Sequence, residues 1–80
     1  MVDSQNFIND FRIVVASLPD RDHCVCEIYY KHIEWVEISQ EEGSELMIQF
    51  YPHPYQSCWE FPLDVAMEIL QRAKKKFLND

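Results

Sequence analysis

CVCEIYYKHIEWVEIS, residues 24–39, is the stretch on which the fold turns. From Cys24 the side-chain pattern has period 2: Cys24, Cys26 and Ile28 fall on one side of an extended chain and Val25, Glu27 and Tyr29 on the other. A turn at Tyr30–Lys31–His32 lets Ile33–Ile38 pair back as a second strand. Downstream, Glu41–Glu42–Gly43 is the clearest turn, because Gly43 supplies a positive φ without a Cβ clash. Leu46, Ile48 and Phe50 then alternate with Met47, Gln49 and Tyr51 in a third strand, which Pro52 and Pro54 end. Cys58–Phe61 has the makings of a short fourth strand.

Both flanks read as helices. Pro62 suits a first helical turn, and Leu63, Ala66, Met67, Leu70, Ala73 and Phe77 recur on one helix face. Asp64 and Glu68 lie near the positive end of that helix and Lys74, Lys75 and Lys76 near its negative end, as the helix dipole favours. At the N-terminus, Phe7, Ile8, Phe11, Val14, Val15 and Leu18 share a helical stripe, with Asp3 or Ser4 as cap and Pro19 as stop. The β-branched run Ile13–Val14–Val15 leaves a strand open there, but helix is the expectation. The order is helix, three or four antiparallel strands, helix. That is an α+β two-layer sandwich in a single domain, 1–80, with both helices on one sheet face.

Helices on one face leave the other to solvent or to a partner. With Cys24, Cys26, Ile28, Val36, Ile38, Leu46, Ile48, Phe50, Trp59 and Phe61 inward, alternation turns Val25, Glu27, Tyr29, Ile33, Trp35, Glu37, Met47, Gln49, Tyr51 and Glu60 outward. Large aromatics interleaved with carboxylates are the composition of a contact surface. The plainer alternative is that the acids keep the protein soluble while the aromatics brace cross-strand pairs.

Acids outnumber bases 14 to 7, a formal charge of −7, and the imbalance belongs to residues 1–61 (net −8) rather than to residues 62–80 (net +1). Such a field repels phosphates and steers basic partners, so no nucleic-acid partner is expected. One glycine in the chain excludes a glycine-rich phosphate loop. The N-terminal MVDSQNFIND has no export-signal pattern, no apolar run approaches membrane-spanning length, and three cysteines are an odd number. A cytoplasmic protein with reduced thiols, and no membrane partner, is expected.

Catalytic and metal chemistry find little support. His23, His32 and His53 sit in or beside turns, with no nucleophile or carboxylate at a diagnostic spacing. Cys24 and Cys26 form C-x-C rather than C-x-x-C, with no second pair to complete a zinc set, and both fall on the inward strand face, where buried thiols are ordinary core. Pairs such as Glu34/Glu37 and Glu41/Glu42 suit solvated charge better than acid–base work in a fold with little room for a pocket. No enzyme activity, cofactor or metal is expected.

EIYYKHIEWVEISQEEGSELMIQFYP (27–52) and CWEFPLDVAMEILQRAKKKF (58–77) resemble a pattern in small acidic bacterial proteins: two strands, an E-G turn, a strand ending in Tyr-Pro, then W-E-F-P-L opening a helix with I-L-x-x-A-K. Such proteins are of the kind encoded beside polymorphic or contact-dependent toxins as cognate immunity proteins. Trp59, Phe61, Leu63 and Leu70 carry the likeness as a strand–helix corner, and no functional residue transfers with it. The resemblance implies a non-enzymatic antitoxin that blocks a toxin domain. Glu27, Glu37 and Glu60, with loop acids Glu41, Glu42 and Glu45, would then occupy a basic active site, and Tyr29, Trp35 and Tyr51 would anchor the contact. The alternative is an accessory subunit that homodimerises through its sheet.

Overall fold

The structure is a computed structural model and describes residues 4–17, 19 and 23–79. The protein is an α+β domain in the order helix, four antiparallel strands, helix: α1 (Ser4–Asn9), β1 (Phe11–Ser17), β2 (Cys24–Tyr30), β3 (Ile33–Ser39), β4 (Met47–Phe50) and α2 (Leu63–Asn79). The sheet is a meander, β1-β2-β3-β4, each strand hydrogen-bonded to its sequence neighbour.

The first correction is at the N-terminus. The helix expected through Leu18 stops at Asn9, and 11–17 is strand, paired with β2 from Phe11↔Tyr30 to Ser17↔Cys24. Phe11 and Val15 fit a helical stripe and an alternating strand equally well. The β-branched Ile13, Val14 and Val15 and a full-length partner decide for strand. Asp3, the alternative cap, and Leu18, the stripe's end, lie outside the described residues, and Ser4 is the first residue of α1. Cys58–Phe61 is not a strand; residues 51–62 form a loop.

The β2–β3 connection is a two-residue hairpin loop. Tyr30 pairs with Ile33, and Lys31 (φ 48°) and His32 (φ 70°) both take left-handed geometry, the pattern of a type I′ turn. Asp10 holds this end, its carbonyl accepting from the Lys31 N–H at 3.1 Å.

Inside, Cys26, Ile28, Val36 and Ile38 from the sheet meet Val65, Ile69 and Ala73 from α2. Ala73 allows close approach, and the Cys26 thiol lies 3.8 Å from its carbonyl. The buried face of α2 is therefore Val65–Ile69–Ala73, displaced round the helix from the expected stripe. Leu63 and Met67 are exposed. Pro62 precedes the helix, and its carbonyl accepts from the Val65 and Ala66 N–H groups. At the turn end, Phe7, Phe11, Tyr30, Trp35 and Phe61 form an aromatic cluster with neighbouring centroids 4.9–6.4 Å apart.

Trp35 corrects the expected register. Ile28 pairs with Val36, but Tyr29 pairs with Glu34, so Trp35 is the extra residue of a β-bulge. Both Trp35 and Val36 turn inward; Trp35 is 6% exposed and belongs to the core, and Ile33 pairs with Tyr30 on the same face. Neither Trp35 nor Ile33 is on the outer face. Cys24, expected inside, is exposed at the sheet's end, and Ile48 and Phe50 point to the helix side yet stay exposed, because α2 packs over β1 and β2. Val25 faces outward as expected but is buried among its strand neighbours.

Candidate functional site

Cross-strand pairing arranges the outer face in rows. One row runs Arg12–Tyr29–Glu34, the next Val14–Glu27–Glu37–Gln49, and a third joins Ser39 to Met47. In a regular strand, Glu34 and Glu37, three residues apart, would project to opposite faces. The bulge at Trp35 restores Glu34 to the side of Glu37. As a result, carboxylate oxygens of Glu27, Glu34 and Glu37 lie within 4.8 Å of one another.

Two tyrosines brace the trio. The Tyr51 hydroxyl donates to Glu37 Oε1 at 3.3 Å, and Tyr29 stands beside Glu27 on the same face of β2. Glu37 is 4% exposed although it lies on the outer face of the sheet. Glu34 is the least satisfied: its Oε2 is buried, with no hydrogen-bond partner among the described residues. Burial, and then the charges of Glu27 and Glu37, raise the Glu34 pKa above the usual carboxyl value. The Tyr29 hydroxyl is raised too, by burial first and then by Glu27 and Glu34, while Arg12 across the strand pair opposes the rise.

Of the residues the sequence marked for contact, the fold gathers Glu27, Tyr29, Glu37 and Tyr51. Trp35 lies on the opposite face, in the core. Glu41, Glu42 and Glu45 are exposed in the loop between β3 and β4, and Glu60 is exposed in the 51–62 loop, off the sheet. That loop is ordered by its own contacts. His53 Nδ1 accepts from the Tyr55 and Gln56 N–H groups at 3.0 and 3.2 Å, Trp59 Nε1 donates to the Tyr51 carbonyl at 2.8 Å, and the His53 and Trp59 rings lie 4.4 Å apart.

Glu34 is the site residue that strand alternation missed. Its signal is a phase slip: Ile33-Glu34-Trp35-Val36-Glu37-Ile38 alternates except at the adjacent apolar pair 35–36. Hard oxygen donors grouped in this way suit a cation, either a divalent metal or a Lys or Arg head. Cys24 and Cys58 are exposed and Cys26 buried, and none is in a disulfide.

Comparison with known proteins gives no matching family model, no matching curated protein and no matching solved structure. No helix among the described residues is long and apolar enough to cross a membrane.

Proposed function

We propose that this protein is a non-enzymatic binding module of the immunity type, which blocks a cognate bacterial toxin domain by seating a basic side chain of that domain on Glu27, Glu34 and Glu37. The observation that carries the proposal is the orphaned Glu34 Oε2 inside a carboxylate trio. An incoming guanidinium or ammonium would supply the missing donor and offset the mutual repulsion. A metal fits less well. Ca²⁺ takes six to eight oxygens, whereas a flat sheet face offers ligands from one side, and Glu37 already accepts from Tyr51. Tyr29 and Tyr51 frame the contact, and the loop acids Glu41, Glu42 and Glu45 extend the negative field that speeds encounter. A reducing cytoplasm is the compartment in which such a protein would keep its thiols free.

The test is co-expression with the toxin domain encoded beside its gene. Wild type should restore growth, and the Glu27→Gln/Glu34→Gln/Glu37→Gln variant should not. Equal rescue by that variant removes the trio from the contact, and no rescue by wild type rejects the immunity reading. A rise in Tm with Ca²⁺ or Mg²⁺, lost in the variant, would reassign the trio to a metal.

A further inference from the structure

His53 stands between two prolines, in Pro52-His53-Pro54-Tyr55-Gln56, and the 51–62 loop closes on it. Each proline fixes its own φ, and neither offers a backbone N–H. The first two N–H groups after His53 are therefore those of Tyr55 and Gln56, and both donate to its Nδ1, at 3.0 and 3.2 Å. Two donors on one ring nitrogen assign it as an unprotonated acceptor, which places the ring proton on Nε2.

The half-buried imidazole lies against Trp59, with ring centroids 4.4 Å apart, and Trp59 Nε1 donates to the Tyr51 carbonyl at 2.8 Å. Tyr51 is thus held from both sides, since its own N–H donates to the Trp35 carbonyl at 2.9 Å. Its hydroxyl reaches Glu37 in the carboxylate trio. A continuous set of contacts runs from His53 through Trp59 and Tyr51 to that trio.

We infer that His53 is a pH-sensitive latch: the neutral ring closes the 51–62 loop beside the carboxylate trio, and protonation at Nδ1 opens it. Histidine gains its charge between about pH 8 and about pH 5. In the charged ring both nitrogens are donors, so Nδ1 would confront two N–H groups with a third, and no flip of the ring restores an acceptor. Tyr55 and Gln56 are exposed, so water replaces the imidazole as their acceptor when the loop opens. An imidazolium does gain a cation–π attraction to the Trp59 face. That attraction is indifferent to which nitrogen faces the loop, and it leaves the two N–H groups unanswered.

The charges around the ring do not settle the matter in either direction. A cavity of about 310 Å³ groups His53 with Lys31 from the β2–β3 turn and Glu60 from the loop itself, one charge of each sign. Tyr30 of β2 and Tyr55 are the other titratable groups lining it, and β3 contributes Ile33. The hydrogen bonds at Nδ1 therefore decide the response. What opening does to a partner depends on the role proposed for the trio, whereas the latch is read in the free chain, so either can fail without the other.

The experiment is nitrogen NMR of the free full chain at about pH 7.5 and about pH 5.5. The His53 ring shifts report the tautomer, and exchange of the Trp59 indole N–H, corrected for its intrinsic rate, reports opening. The Nε2–H tautomer is expected at the higher pH, and roughly tenfold faster Trp59 exchange at the lower. His53→Asn sets an oxygen where Nδ1 stood, an acceptor that does not titrate, and should make the exchange independent of pH. His53→Ala should make it fast at both values. Glu34→Gln should leave the pH response in place, which separates the latch from titration within the trio. A proton on Nδ1 at the higher pH overturns the inference, as does Trp59 exchange that ignores pH in the wild type. So does a response that persists in His53→Asn or vanishes in Glu34→Gln, or slow exchange in His53→Ala.

Discussion

Glu27 and Glu37 are directly opposed across β2 and β3, like charges in the pair position where opposite charges would stabilise the sheet. Glu34 joins them through the bulge, and Tyr51 donates its hydroxyl to Glu37. The folded protein tolerates this repulsion at the centre of its sheet. A binding surface has a use for it, because the energy is recovered when a cation arrives.

Glu34→Gln should make the protein more stable at neutral pH. The folded Glu34 pKa is raised, by burial first and by Glu27 and Glu37 next. Between the unfolded value of about 4.3 and the higher folded one, the folded state holds more protons than the unfolded chain, so stability falls as pH rises through that window. The variant removes that loss. Its Tm should exceed wild type at pH 7, with the difference closing below about pH 4. An equal or lower Tm at pH 7 would contradict the burial and repulsion assigned to Glu34.

Trp35→Ala should cost about 3–5 kcal/mol, the usual range for emptying a large buried aromatic. The side chain is buried among Phe11, Phe50 and Phe61, with ring centroids 5.1–6.4 Å away. An 80-residue domain has roughly 4–12 kcal/mol in total, so much of the population should unfold. Urea denaturation measures it. A loss under 1 kcal/mol would return Trp35 to the outer face.

Lys31→Asn with His32→Gly should stabilise the hairpin by about 1 kcal/mol. Both positions hold positive φ, which asparagine and glycine adopt at lower cost than lysine and histidine. The gain is partly offset by loss of the weak Lys31–Asp10 ion pair at 4.0 Å and the Lys31 ammonium over the Tyr30 ring. Thermal melts of the single and double variants would show it, and a lower Tm in the double variant would exclude a type I′ turn.

Thiol reactivity should divide two to one. Cys24 and Cys58 are exposed, whereas Cys26 is fully buried against Ala73. An aromatic disulfide reagent should label two thiols at once and the third only on unfolding. Three fast thiols would mean that α2 does not cover β2.

Much of this architecture is legible in the chain because its signals are local. The hairpin of 24–39, the turn at Gly43, the break at Pro52 and the helix after Pro62 each rest on a few adjacent residues. What escaped depends on distant partners. Phe11 to Ser17 satisfies a helical stripe as well as a strand, and only pairing with β2 separates the two. The rotation of α2 to Val65, Ile69 and Ala73 follows from its seat over β1 and β2, which no helical wheel contains. The carboxylate trio was half visible. Glu27 and Glu37 follow from alternation, whereas Glu34 needs the slip at Trp35 and Val36 to be taken as a bulge.

A strand has a reading frame of two, and Trp35 occupies the place of a one-residue insertion in it. Excising Trp35 would leave Glu34 and Ile33 on their present faces. Excising Val36 would do the same, with Trp35 taking its inward place, whereas excising Glu34 would set Trp35 outward, opposite Tyr29, once the strand realigned. Substitutions at position 35 change how the core is filled, while a change of length beside it alters which charges the opposite face displays. One residue thus links the oily side of this sheet to the electrical character of the other, and the two cannot evolve independently through insertions and deletions in β3.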